Sequence, residues 1–291
     1  MGKSALTALL ISLLAWNASR ASTEPGSERI SVTVRGDGPN LVLIPGLASS
    51  NAVWDATATR LEGRYRLHMV QVAGFAGSPP GANAQGPIIQ PLVDAIDAYI
   101  KTNKLKAPKV IGHSMGGLMA LMLAIQHPED VGGLMIVDSL PFFGVLFGAK
   151  DAAAAAPQAA AMRDSILGET QDAYAQGEVF SLQSLVKSPK GFQAATQWAI
   201  ASDKSVVARA MYEDATTDIR PRMHELKTHI TMLYPWDSST GYTQAAVDGL
   251  YRENFAAVPN ITMVRIDDSL HFIMLDQPDV FAAQMDAFLK Q

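Results

Sequence analysis

None of the 291 positions of the chain is a cysteine. That absence excludes disulfides, thiolate metal sites, a cysteine nucleophile and a lipidated N-terminal cysteine. Charge is scarce as well. Asp, Glu, Lys and Arg make up only 18% of residues, and no long run of one sign marks a disordered tail. There is no basic excess: the net charge is −5, which argues against nucleic acid as a partner. No repeat of solenoid type occurs. What the chain does have is apolar side chains, 48% of the total. At this length they suffice for one large domain, or one domain with an insertion.

The first 21 residues read as a segment apart from the fold. Lys3 gives a positive start, residues 5–16 form an apolar run, and Ser19-Arg20-Ala21 puts small residues at the −3 and −1 positions of a cleavage site. This pattern predicts a signal peptide over residues 1–21 and a periplasmic or secreted product. The run is short for a transmembrane helix, which argues against the competing reading, an uncleaved anchor; no stable membrane insertion is expected after cleavage. Cleavage removes two cations, Lys3 and Arg20, and takes the net charge from −5 to −7. Residues 22–28 then read as a short polar tail.

The stretch around which everything else is arranged is Val110-Ile111-Gly112-His113-Ser114-Met115-Gly116-Gly117-Leu118. It contains G-x-S-x-G between an apolar run that reads as a buried strand and an apolar run that reads as a helix. A serine in that position sits on a sharp, strained turn, and its flanking glycines avoid collisions a Cβ would cause. The turn lifts the hydroxyl to the carboxyl end of the sheet, beside a helix N-terminus that favours negative charge. Ser114 is therefore the candidate nucleophile.

Residues 30–35 alternate and are rich in β-branched side chains, predicting a strand. Gly36-Asp37-Gly38-Pro39 reads as a hairpin turn. Residues 41–44 form a continuous apolar run, as in a strand covered on both faces. A helix is expected around residues 53–61, a strand at 67–72, and a helix carrying Leu92, Ile96, Tyr99 and Ile100. After the serine turn come a helix ending near His127-Pro128 and a short strand at 134–137. From about residue 141 to 215 no good strand appears, and alanine- and methionine-rich sequence predicts a helical insertion. Alternation resumes with strands at 230–234 and 261–266, a helix at 244–255, and a last helix with Phe281, Met285, Phe288 and Leu289 on one face. Such alternation means a mostly parallel central sheet with helices on both faces. The expected division is a core of residues 22–140 and 216–291, with a helical cap over 141–215.

The order of these features, with a Gly-His-Ser-Met-Gly-Gly elbow, a helical insertion, a later Asp loop and a late histidine, resembles the α/β-hydrolase superfamily. It is most similar to the capped serine esterase and C–C hydrolase branch. The resemblance implies a triad in the chain order Ser, then Asp or Glu, then His. His271, directly after the last predicted strand, stands at the family's base position, and the other histidines fit worse. Asp237, after the strand at 230–234, stands at the usual acid position. Asp138, at the end of an earlier strand, is the rival, since some relatives place the acid there. The oxyanion donors carried over are the backbone N–H groups of Met115 and Leu47. Here the chain has Pro45-Gly46 where relatives often have His-Gly, and Pro45 has no N–H to offer.

These readings predict a serine hydrolase that cleaves a carboxylic ester of a small to medium, mainly apolar molecule through an acyl-enzyme. Phe143, Met162 and Trp198 of the insertion are the expected pocket residues. The alternatives are C–C bond hydrolysis or thioester and acyl transfer with the same triad, or a slow-turnover binding protein. No metal and no organic cofactor is implied, and the partner is a small-molecule substrate.

Overall fold

The computed structural model describes Ser22–Pro25 and residues 27–291; the expected leader, residues 1–21, lies outside the described residues. Among the described residues, eight strands form one sheet: β1 (Ser22–Pro25), β2 (Ile30–Arg35), β3 (Asn40–Ile44), β4 (Arg66–Val72), β5 (Lys109–His113), β6 (Gly133–Val137), β7 (Ile230–Trp236) and β8 (Ile261–Asp267). Their spatial order is β1-β2-β4-β3-β5-β6-β7-β8. The pairs β1–β2 and β2–β4 are antiparallel, and every other pair is parallel. The apolar runs of β3, β5 and β6 are buried almost throughout, as expected of parallel strands covered on both faces. β2 alternates buried and half-buried positions, which matches its place near an edge.

Two expectations are corrected at that edge. Residues 22–25 of the supposed tail form β1, with Ser22 opposite Val34. The open N–H and C=O row of β2 accepts any nearby extended segment, whatever its polarity. The turn at residues 36–39 does not close a hairpin: β2 and β3 are separated by β4, which pairs with both. A local turn signal says the chain reverses there. It does not say which strand arrives later to occupy the gap.

The order reversal about β3 also distributes the helices. β4 lies on one side of β3 and β5 on the other, so right-handed crossovers put α1 (Asp55–Leu61) and α2 (Ile89–Thr102) on opposite faces. α2 buries Leu92, Ile96, Tyr99 and Ile100. α3 (Met115–Gln126) is apolar on all sides and buried along nearly its whole length, as an all-round hydrophobic helix must be.

Between β6 and β7 the chain forms α4 (Ala152–Gly168), α5 (Gln171–Leu182), α6 (Pro189–Ala201) and α7 (Lys204–Thr216). Each starts on a side-chain cap, from Asp151, Thr170, Ser188 and Asp203 respectively. α4 packs on α7 and α5 on α6. The group is fastened to the core by specific bonds. The Asp203 N–H donates to the Gly74 carbonyl (2.7 Å), and the Ser202 hydroxyl accepts from the Ala76 N–H (2.8 Å). The Glu213 carboxylate accepts from the N–H groups of Ile88 and Ile89 at 2.8–3.0 Å, satisfying the first N–H groups of α2, which have no partner within the helix. After β7 come α8 (Gln244–Asn254), α9 (Ile273–Asp276) and α10 (Pro278–Leu289); α10 buries Phe281, Met285 and Phe288.

Candidate active site

Ser114 lies between β5 and α3 with φ +55° and ψ −128°, a conformation costly for a residue with a Cβ. The fold over-determines it. The Ser114 N–H donates to Val137 O (3.0 Å), and its carbonyl accepts from the N–H groups of Gly117 (2.7 Å) and Leu118 (3.2 Å). A Cβ on Gly112 would strike the backbone of Gly116, and one on Gly116 would lie 2.5 Å from the carbonyl oxygens of Ile44 and Pro45. The glycines flanking the serine are therefore a condition for packing strand, turn, helix and the loop after β3 against one another.

That loop passes beside the serine. A Cβ on Gly46 would lie 2.9 Å from the Ser114 Cβ and 3.0 Å from His113 Nδ1. Ala48 has φ +53°, so the loop is tightly bent. Among the described residues, neither the Leu47 N–H nor the Met115 N–H is spent on a hydrogen bond. Met115 opens α3, where backbone N–H groups have no partner inside the helix.

His271 follows β8, and its Nδ1 lies 2.6 Å from a carboxylate oxygen of Asp138, the residue directly after β6. With Nδ1–H donating there, Nε2 is left as an acceptor. Asp138 is itself held in a left-handed conformation (φ +44°), and its N–H donates to Leu233 O (2.8 Å). Its second carboxylate oxygen accepts a short hydrogen bond from the hydroxyl of Tyr251, on α8. Tyr251 is buried and stacks on Tyr234, centroids 4.5 Å apart and planes at 24°. Burial, and then the Asp138 charge, push its phenol well above the usual value.

The expectation for the acid is corrected here. Asp237 does not meet His271. It accepts from Lys187 Nζ (2.6 Å) and from the Ser239 N–H (2.8 Å), and these bonds, Lys187 foremost, hold its carboxyl down at about 2. Asp237 thus ties the segment before α6 to the loop after β7. β6 and β7 are neighbours in the sheet, so both aspartates stand on the same rim. The crossing of the His271 loop and the position of α8 decide between them. Sequence reasoning missed Tyr251 altogether, because nothing local links a tyrosine on α8 to a strand end more than a hundred residues earlier.

His113 supports His271 from below. It is fully buried, its Nε2 donates to the His271 carbonyl (3.1 Å), and the two rings are 4.5 Å apart. Burial, and then the charge of His271, keep it well below its ordinary value and hence neutral. Of the expected pocket residues, all three are half-buried. Phe143 pairs edge-on with Phe147 (5.3 Å), Trp198 packs at the margin of the main core, and Met162 sits in α4. An open cavity of about 580 Å³ lies nearby, walled by Phe180, Leu185, Thr240 and Leu270. It adjoins the chain just before His271. Among the described residues, the cluster with metal-type donors, Asp97, His127 and Asp130, lies past the far end of α3 and already holds the Lys101 ammonium, 2.8 Å from Asp97.

A family model described as the alpha/beta hydrolase family matches residues 41–284. The pimeloyl-[acyl-carrier protein] methyl ester esterase of Aeromonas hydrophila is 35% identical over 114 residues, 39% of this chain and 43% of that protein. The protein of the same name from Nitrosomonas europaea is 34% identical over 117 residues, 39% of this chain and 42% of that one. The chain thus spans well under half the length of these curated relatives. Among solved structures, a hydrolase from Pseudomonas aeruginosa superposes with TM-score 0.75 at 18% identity, covering 94% of this chain and 100% of that one. The enol-lactonase from Burkholderia xenovorans gives 0.73 at 18%, with 90% and 96% covered. At these identities the likeness to the solved structures is one of fold.

Proposed function

From the premise that this chain belongs to the alpha/beta hydrolase family, we propose that it is a serine hydrolase cleaving carboxylic esters of small to medium, mainly apolar molecules. The observation that carries this reading is the 2.6 Å bond from His271 to Asp138, set beside a serine held on a strained strand–helix turn. In the proposed reaction, Ser114 Oγ attacks the ester carbonyl as His271 Nε2 takes its proton. The oxyanion accepts from the N–H groups of Leu47 and Met115. Collapse expels the alcohol, protonated by His271, and leaves an acyl-serine. Water, deprotonated by the same histidine, then releases the acid. Asp138 keeps the imidazole in the right tautomer and stabilises the imidazolium; Tyr251 and His113 hold the pair in place.

Ester cleavage is preferred to C–C or thioester cleavage because the curated relatives are named as methyl ester esterases. The segment before β7, with Phe143 ahead of α4, Met162 in α4 and Trp198 in α6, is proposed to wall the substrate side. Residues 1–21 are proposed as an export signal, with the mature protein starting near Ser22; N-terminal sequencing of the exported product tests this.

The central experiment is labelling with a fluorophosphonate together with turnover of a chromogenic ester. Ser114→Ala is expected to abolish labelling and lower kcat by roughly 10⁴-fold or more. Labelling that persists in the variant overturns the assignment of the nucleophile.

A further inference from the structure

The backbone on either side of His271 is pinned at three successive points. The Leu270 N–H donates to Asp276 Oδ2 (3.0 Å), the His271 carbonyl accepts from His113 Nε2 (3.1 Å), and the Phe272 N–H donates to the Leu185 carbonyl (3.2 Å). His113 comes from the serine turn itself. The other two bonds involve the segment between α5 and α6. Leu185 belongs to that segment, and the second oxygen of Asp276, Oδ1, accepts from its Lys187 and Ser188 N–H groups, both at 2.9 Å. Asp276 ends the single turn of α9, which brings the chain round so that the carboxylate returns to the residue before His271.

A carboxylate is the side chain this junction needs. Both its oxygens accept and neither donates. Three backbone donors from two distant segments therefore end on one residue, with Oδ2 on the chain before the base and Oδ1 on the chain before α6. An amide could serve only one of the two, because its NH2 would face a donor. Apolar packing leaves this seam open, since Leu185 and Leu270 both wall the cavity of about 580 Å³. A few residues on, α6 rests on α9, where a Cβ on Gly191 would lie 2.9 Å from the Leu275 Cβ.

We propose that Asp276 is a positioning residue for the base: by bonding the chain before His271 and the chain before α6 at once, it makes the placing of the imidazole depend on how the helical segment sits. This rests on the ester-hydrolase reading above. Asp138 fixes the ring through Nδ1, and that bond sets its tautomer. The place of Nε2 relative to Ser114 is set by the backbone that carries the ring, and a misplacement of about 1 Å there costs up to about a hundredfold in rate. The same Nε2 serves acylation and deacylation. The loss therefore falls on kcat whichever step limits it and whichever acyl group is carried.

The test measures kcat and KM for p-nitrophenyl acetate and p-nitrophenyl hexanoate, with Tm beside them, for the full chain and for Asp276→Asn, Asp276→Glu and Glu213→Gln. Glu213 is the control: its carboxylate likewise ties the four-helix segment to backbone N–H groups of the core, but those of Ile88 and Ile89 and not of the chain around His271. Asp276→Asn is expected to lower kcat by roughly ten- to a hundredfold, by the same factor for both esters, with KM little changed. Asp276→Glu keeps both oxygens on a longer arm, and its kcat should fall between those of the Asn variant and the native protein. Glu213→Gln should lower Tm as the Asn variant does, yet leave kcat at the native value. If Asp276→Asn does not fold, Asp276→Glu carries the test, again with lowered kcat at unchanged KM. The proposal is overturned if kcat stays native, or if Asp276→Glu is no better than Asp276→Asn. It is equally overturned if Glu213→Gln lowers kcat as much, or if the two esters lose unequally or through KM alone, as a wall of the substrate pocket would give. Esters turned over with kcat indifferent to Asp276 sink this proposal alone. No turnover of any ester and no labelling of Ser114 sink the ester-hydrolase reading with it.

Discussion

The ends of β6 and β7 are adjacent on the same rim of the sheet, and each is followed directly by an aspartate, yet the two do different work. Asp138 has its carboxylate between His271 and Tyr251, with the backbone bent into a left-handed conformation. Asp237 is in extended backbone and spends its carboxylate on Lys187 and on capping the turn that follows. A carboxylate bonded to an ammonium has little left for an imidazole. One engaged by a neutral phenol keeps its charge available for the imidazolium. Position along the sheet thus permits a role, and the partner the carboxylate finds decides which role it takes.

Exchanging the two acids for amides breaks the comparison most sharply. Asp138→Asn should lower kcat by roughly 10³–10⁴-fold with labelling of Ser114 slowed in parallel, because an amide favours the wrong imidazole tautomer. Asp237→Asn should change kcat by only a few-fold. If Asp237→Asn is the more damaging to turnover, the two roles are reversed.

A smaller effect sharpens the comparison at Tyr251. Removing its hydroxyl deletes one charge-assisted bond to Asp138, and Tyr251→Phe should cost about tenfold in kcat with KM little changed. The acid limb of the kcat profile should move in the same variant. A variant with unaltered kcat and pH profile would reduce Tyr251 to a packing residue.

The smallest effect is on stability. Asp237 in the fold titrates at about 2, below its ordinary 3.8, with Lys187 as the first cause. The stabilisation it supplies is therefore complete above the unfolded value and is lost as pH falls from about 4 toward 2. Lys187→Met and Asp237→Asn should each lower Tm at pH 7, by about a few degrees at most, since Lys187 is half-exposed and its ion pair is screened by solvent. Both deficits against the native protein should shrink at pH 2–3. A deficit that is constant with pH would mean the loss is one of packing.

Local sequence by itself determined a good deal. A continuous apolar run means a strand covered on both faces, a period near 3.6 means a helix with one buried stripe, and Gly112, Gly116 and Gly117 around Ser114 mean a turn too tight for side chains. These follow from the backbone and its immediate neighbours, so β3, β5, α2, α3 and the serine turn were legible, as was the place of His271 after the last strand. Tertiary structure decided what depends on chain ends meeting from far apart. It made β1 an edge strand because β2 had an unpaired side, and it put β4 between β2 and β3 where the turn at 36–39 had suggested a hairpin. It gave His271 to Asp138 and Lys187 to Asp237, and it brought Tyr251 from α8 to the far oxygen of that carboxylate. Hydrogen bonds of this kind are a few ångströms long and indifferent to sequence separation. No local pattern encodes them, and only the packed chain selects among partners that sequence leaves equally eligible.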